Sequence, residues 1–175
     1  MFEDDFETDK GWTVNPLGTD TANRGMWEWA NPESTSYGGV TYQLGATASG
    51  SYDLVTGGLA GYTVGKYDLD GGVTSVRSPD IVLPSSGDIT LSFEYYLAHM
   101  ANATSDDYLR VKVVGATTTT VLEELGSVDS DEAAWETFEA SLNAYAGQTV
   151  YLLIEAADGG KGTLVEAAID DVLIE

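Results

Sequence analysis

The sequence predicts an all-β fold, a two-sheet antiparallel β-sandwich of the jelly-roll type, and three observations predict it. Twenty glycines punctuate short apolar runs in which Val, Ile, Thr and Tyr are plentiful, the composition of strands joined by tight turns. Several of those runs alternate apolar and polar residues with a period of two. One stretch alone, residues 129–142, has helical character. A chain of 175 residues with a 43% hydrophobic share can bury roughly 70% of its unfolded surface in one core, so residues 1–175 are expected to form a single module.

The elements follow in chain order. Phe2-Glu-Asp-Asp-Phe-Glu7 is an acidic opening strand. Residues 13–66 are rich in Gly, Thr, Ser, Asn and aromatics, among them Trp27, Trp29, Tyr37, Tyr42, Tyr52 and Tyr62. Long ordered loops with short strands, lying over the sandwich, are expected there. In Ile89–Leu97 the odd positions Ile89, Leu91, Phe93, Tyr95 and Leu97 form an apolar face opposite Thr90, Ser92 and Glu94. Tyr108–Val113 turns Leu109, Val111 and Val113 inward, and Val150–Glu155 does the same with Val150, Leu152 and Ile154. These are half-buried antiparallel strands. Between them lie turn sequences at Pro84–Gly87, Val114-Gly115, Tyr145–Gly147 and Asp158–Gly160. The acids at the start of 129–142 suit a helix N-terminus. Residues 135–142 also read as a strand entering a turn at 143–147, and the strand is the favoured reading.

The tail, Gly162–Glu175, carries the sharpest local signal. Ala167 and Ile169 share one face of a strand, and Val172 and Ile174 join it only if Asp170-Asp171 absorbs an extra residue. Adjacent aspartates at such a kink repel one another, and a hard cation relieves that repulsion. The acidic head and tail are therefore expected to be neighbouring strands clamped by calcium.

Seven Lys and Arg against 29 Asp and Glu give a formal charge of −22. That balance argues against nucleic acid and anionic membranes as partners, and no apolar run reaches the ~18 residues of a membrane span. Cysteine is absent, which removes a disulfide framework, a thiol nucleophile and zinc–thiolate chemistry. Both ends sit directly on acidic strands, as expected of a module cut from a longer chain with an added Met1.

Asp68-Leu-Asp70-Gly-Gly has the i, i+2 carboxylate spacing that a glycine-permitted curl can wrap around calcium. It is not an EF-hand, because Pro79 stands at the twelfth position. Acidic glycine turns are common without metal; here Asp4, Asp5, Glu7, Asp20, Glu166, Asp170 and Asp171 add to the reading. No catalytic residue is assigned. The single histidine, His99, reads as a strand-end residue, there is no Gly-x-Ser-x-Gly elbow, and nothing singles out one carboxylate pair for glycoside hydrolysis. Trp27 and Trp29, two apart, share a face if extended; they read either as structural packing residues or, if exposed, as the candidate ligand-binding residues for stacking on sugar rings or on a neighbouring domain.

Taken together, Asp20-Thr-Ala-Asn-Arg-Gly-Met-Trp27 with Pro32, Leu54-Val-Thr-Gly57, Asp68 through Pro79, Asp106-Asp107 with the strand after it, and Val165 through Val172 resemble an accessory domain of bacterial secreted zinc carboxypeptidases and other exported hydrolases. Phe6-Glu7 with Gly11-Trp12, Ser78-Pro79, Leu91-Ser-Phe93 and Ile169-Asp-Asp-Val172 are also similar to the MAM-type jelly roll. The resemblance implies a non-catalytic, secreted, monomeric module stabilised by calcium, with metal positions at Glu7, Asp20, Asp68, Asp70 and Asp170 or Asp171, and Glu166 beside them. It implies a covalently linked catalytic domain, and polysaccharide or extracellular protein as partner. One departure is that Val114–Val121 lacks the Trp in which many relatives end that turn. A purely structural or adhesive interaction domain is the alternative.

Overall fold

The computed structural model describes residues 1–59 and 63–175; Tyr62 lies outside them. The strands, in chain order, are β1 (Phe2–Asp4), β2 (Thr13–Val14), β3 (Trp27–Ala30), β4 (Thr35–Tyr37), β5 (Val40–Gln43), β6 (Asp53–Thr56) and β7 (Gly72–Arg77). They continue with β8 (Ile81–Val82), β9 (Thr90–His99), β10 (Tyr108–Val114), β11 (Thr118–Leu125), β12 (Glu136–Ser141), β13 (Thr149–Asp158) and β14 (Val165–Ile174). One sheet runs β12-β9-β14-β6-β3, with β1 also paired to β14; the other runs β11-β10-β13-β7-β2, with β8 also paired to β13. Every pairing within them is antiparallel, so the expected two-sheet sandwich is what the chain forms.

The period-two runs land as read. Leu91 and Phe93 of β9, Leu109, Val111 and Val113 of β10, and Leu152 and Ile154 of β13 meet in one core with Trp27, Leu54, Val76 and Ile169. The 135–142 segment is strand β12, followed by a single 3₁₀ turn at Asn143–Tyr145. Among the described residues no helix is long and apolar enough to cross a membrane.

In β14 the register against β9 shifts between Asp170 and Leu173, and Asp171 takes a positive φ of 49°. That bulge returns Val172 and Ile174 to the core face beside Ala167 and Ile169. Beyond it β1 pairs with β14, Asp4 opposite Val172 and Phe2 opposite Ile174, so head and tail are adjacent strands.

The 13–66 region is less uniform than an overlying loop layer. Strands β3 and β6 extend the first sheet and β2 the second, whereas the β4–β5 hairpin forms a separate two-stranded sheet. A second apolar cluster joins Tyr42 of β5 to Val55, Tyr96, Ala98 and Ala168 of the first sheet. The first sheet is therefore buried on both faces where the hairpin covers it. This is why Tyr96 and Ala98, at even positions of β9, are as buried as the odd ones.

Candidate functional site

Trp27 and Trp29 lie on the same side of β3, yet their environments differ. Trp27 is 2% exposed and packed in the core, so it offers no ring face to a ligand, and a two-tryptophan platform is ruled out by that burial. Trp29, nearer the end of the strand, emerges at the sandwich rim with 47% of its surface exposed. Its indole N–H donates to the carbonyl of Phe6, and its ring meets that of Tyr52, itself 41% exposed, at 5.5 Å between centroids and a 46° tilt.

Trp29 lines a cleft of about 150 Å³ whose walls include Phe6, Trp12, Leu54, Thr8, Asp9 and Lys10. Local sequence explains how this cleft is held. Phe6 adopts φ 53°, a left-handed conformation uncommon for a bulky residue. The turn is pinned by Asp4, buried at the end of β1, which accepts from the Phe6 amide at 3.0 Å and from the Trp12 indole at 2.7 Å. Lys10 Nζ lies 3.8 Å from the same carboxylate. The result is an apolar pocket with a hydroxyl- and charge-bearing lip, the combination that binds small polar ligands with apolar faces.

The expected metal-site carboxylates fall in three places rather than one. At the strand ends, Glu3, Asp4, Asp5 and Asp171 line a groove formed where β1 meets β14. Next to it, Asp170 Oδ2 accepts the amides of Ala48 and Ser49 at 2.9 and 3.1 Å, Ser49 Oγ donates to Asp171 at 2.7 Å, and Glu7 Oε1 accepts the amides of Ser51 and Tyr52 at 2.6 and 2.8 Å. The second place is the Asp68–Asp70 loop. Asp70 pairs with Arg24 at 3.1 Å, while Asp68, Asp158 and Glu166 are all buried, with Asp68 close enough to feel the charge of Asp158 and to impose its own on Glu166. Burial first, then the Asp70 and Asp158 carboxylates, push Asp68 up to about 7. Burial and Asp68 push Glu166 well above the usual range. Asp20 stands apart on the second sheet, both of its oxygens bonded to Ser75 of β7.

Among the described residues no three His, Cys, Asp or Glu side chains are placed to share one metal ion. The donor chemistry nevertheless suits a hard cation in part. Oδ1 of Asp68 and both carboxylate oxygens of Asp53 are buried without a hydrogen-bond partner among the described residues, an arrangement that costs several kcal/mol if the groups stay ionised and unpaired, roughly 2–7 for a neutral polar group and more for a charge. Asp53 and Asp158 were not legible as site residues. Burial, with the Asp170 carboxylate second, raises Asp53 to about 8. A single acid opens the apolar run Leu54-Val55; Asp53 is paired with Ala30 of β3 and lies near Asp170 of β14.

His99 is 2% exposed, with Nδ1 3.2 Å from the Met100 carbonyl, the strand-end placement expected of it. Asn102 donates to the Gly162 carbonyl and accepts from the Thr163 hydroxyl.

No protein-family model matches the sequence, and no curated protein matches it. Solved structures do. The K2 cleaved adhesin domain of Lys-gingipain is similar over 99% of this chain and 97% of its own, with 15% identity and a TM-score of 0.56. The K3 cleaved adhesin domain of Lys-gingipain from Porphyromonas gingivalis W83 is similar over 99% and 95%, with 16% identity and a TM-score of 0.55. A structure described for the promiscuous specificity of carbohydrate-binding modules from the β-sandwich superfamily matches 98% of this chain and 60% of its own, with 11% identity and a TM-score of 0.53. At these identities the likeness shows the fold: a β-sandwich of the kind found in adhesin and carbohydrate-binding module domains.

Proposed function

We propose that this chain is a non-catalytic binding module that engages neutral carbohydrate at the Trp29 cleft. The observation that carries it is the exposed Trp29–Tyr52 pair at the lip of a pocket whose polar groups are Thr8, Asp9 and Lys10. Aromatic faces attract the C–H face of a pyranose, and flanking polar groups bond its hydroxyls. The net charge of −22 disfavours anionic sugars. A non-catalytic role is supported by the pocket lining, in which Asp9 is the one carboxylate among the described residues; glycoside hydrolysis works with two, about 5–10 Å apart. A glycan array comparing parent with Trp29→Ala tests the reading: binding that disappears in the variant supports it, and equal signals remove the aromatic cleft from consideration.

The wider setting is part of the same proposal. The chain is an accessory domain of an exported bacterial hydrolase, linked to its catalytic domain and monomeric, and calcium steadies it. Asp68 and Asp70 would be the carboxylate pair at one ion, and Asp170 and Asp171 the pair at the terminal strands. The ion's contribution would be charge neutralisation, and the unpartnered Asp68 Oδ1 is the buried acceptor that supports the reading.

The adhesive alternative has its own observation. Strand β11 is an eight-residue sheet edge, largely exposed, ending at Leu125 and followed by Val128, which is 77% exposed. Open edges of this kind can be extended by another protein's strand. Calcium-dependent protein capture with no glycan signal would favour that reading.

A further inference from the structure

We propose that Glu7 is a positioning residue for the Trp29 cleft, holding Tyr52 against Trp29 through hydrogen bonds; the inference rests on that cleft being the ligand site. Consecutive residues of the N-terminal segment control the two rings. The Phe6 carbonyl receives the Trp29 indole N–H, and the Glu7 carboxylate receives the Ser51 and Tyr52 amides at 2.6 and 2.8 Å. The positive φ of Phe6 sets the turn from which both groups point at their partners.

The segment that Glu7 grips is tied elsewhere nearer β5, where the Ala46 carbonyl accepts from the Trp135 indole and Ser49 Oγ donates to Asp171. Residues 44–52 form no regular strand between β5 and β6. Its Ala48 and Ser49 amides are held by Asp170, which anchors the far end of the turn to β14. Glu7 anchors the near end, where Tyr52 leads into β6. Gly50, at φ 62°, lies between the two anchors, and a β-carbon there would collide with the Glu7 carboxylate. The turn is thus moulded around this side chain, and the angle between the Tyr52 and Trp29 rings follows from where Glu7 puts the Tyr52 backbone. A pyranose lying across both rings senses that angle.

Reach and charge are separable at this position. Glu7→Gln keeps the length and an acceptor oxygen but removes the charge. Glu7→Asp keeps the charge but withdraws the carboxylate by one methylene. We would measure the nuclear Overhauser contact between the Trp29 and Tyr52 rings in ligand-free protein, and the dissociation constant for cellohexaose and xylohexaose as neutral probes. The expected result is that Glu7→Gln retains the ring contact and the parent affinity. Glu7→Asp loses the contact and weakens binding by about tenfold, the scale of one lost aromatic pair. The reverse pattern, Asp preserving both readouts and Gln losing them, overturns the proposal and assigns Glu7 a charge-dependent role such as cation ligation. Equal ring contacts in parent and both variants also overturn it. If the parent binds neither probe but the ring contact follows the expected order, the positioning role stands and the carbohydrate reading of the cleft fails.

Discussion

Trp27 and Trp29 are two residues apart on one strand, yet one is a core residue and the other a surface residue, because the sandwich ends between them. Replacing Trp27 with Ala empties a large fully packed site and is expected to cost about 3–5 kcal/mol, read by urea denaturation. Trp27→Phe should cost clearly less, since the indole N–H it removes has no partner in the core. Trp29→Ala should leave the unfolding midpoint nearly unchanged, because almost half of that side chain already faces water. A Trp29→Ala protein as unstable as Trp27→Ala would mean that Trp29 is a packing residue first. Asp53 belongs at this scale too: with both oxygens unpartnered, it is a buried group whose ionisation the fold opposes.

At the scale of an element, β14 illustrates how a strand tolerates a defect in its pattern. The bulge at Asp170-Asp171 places a non-glycine residue at φ 49° and fastens it through Ser49. Strained positions of this kind cost about 1–3 kcal/mol for residues that resist them. Asp171→Val, β-branched and unable to bond Ser49, should destabilise by roughly that amount. Asp171→Gly should cost less, because it loses the bond but relieves the backbone. Deleting Asp171 altogether should be far worse, since removing the extra residue turns Val172 and Ile174 out of the core. Cooperative unfolding at the parent midpoint in the deletion variant would show that the bulge does not set the register.

For the whole molecule, the buried acids tie stability to pH and to divalent ions. Asp53 and Asp68, raised to about 8 and about 7, and Asp170, raised to about 6, hold protons in the native state that the unfolded chain has released above about pH 4. The native state therefore binds more protons than the unfolded one, and stability falls as pH rises through that window. In chelator, the melting temperature should drop between pH 5 and pH 8, and Asp53→Asn should flatten the slope. Excess calcium should restore more at pH 8 than at pH 5, because an ion bound only to the native state stabilises it by mass action and competes with those protons. A melting temperature that rises from pH 5 to 8 in chelator contradicts the buried-acid account; one indifferent to calcium at pH 8 removes the ion.

Much of this was determined by the chain itself. Period-two runs in β9, β10, β13 and β14 specify which residues face the core, because alternation in a strand maps directly onto its two faces, and the break at Asp170-Asp171 announces its bulge. Other features came only from long-range packing. The β4–β5 hairpin covers the outer face of the first sheet, burying Tyr96 and Ala98 at positions that alternation assigns to water. The acids expected to gather at one ion are divided between the Asp68 loop, the terminal strands and the Ser75 strand, since separation in sequence does not state which sheet a loop crosses. The cleft depends on Phe6 and Glu7 reaching Trp29 and Tyr52 across more than twenty residues, and local patterning cannot encode a contact whose two sides meet only after the sheets have closed.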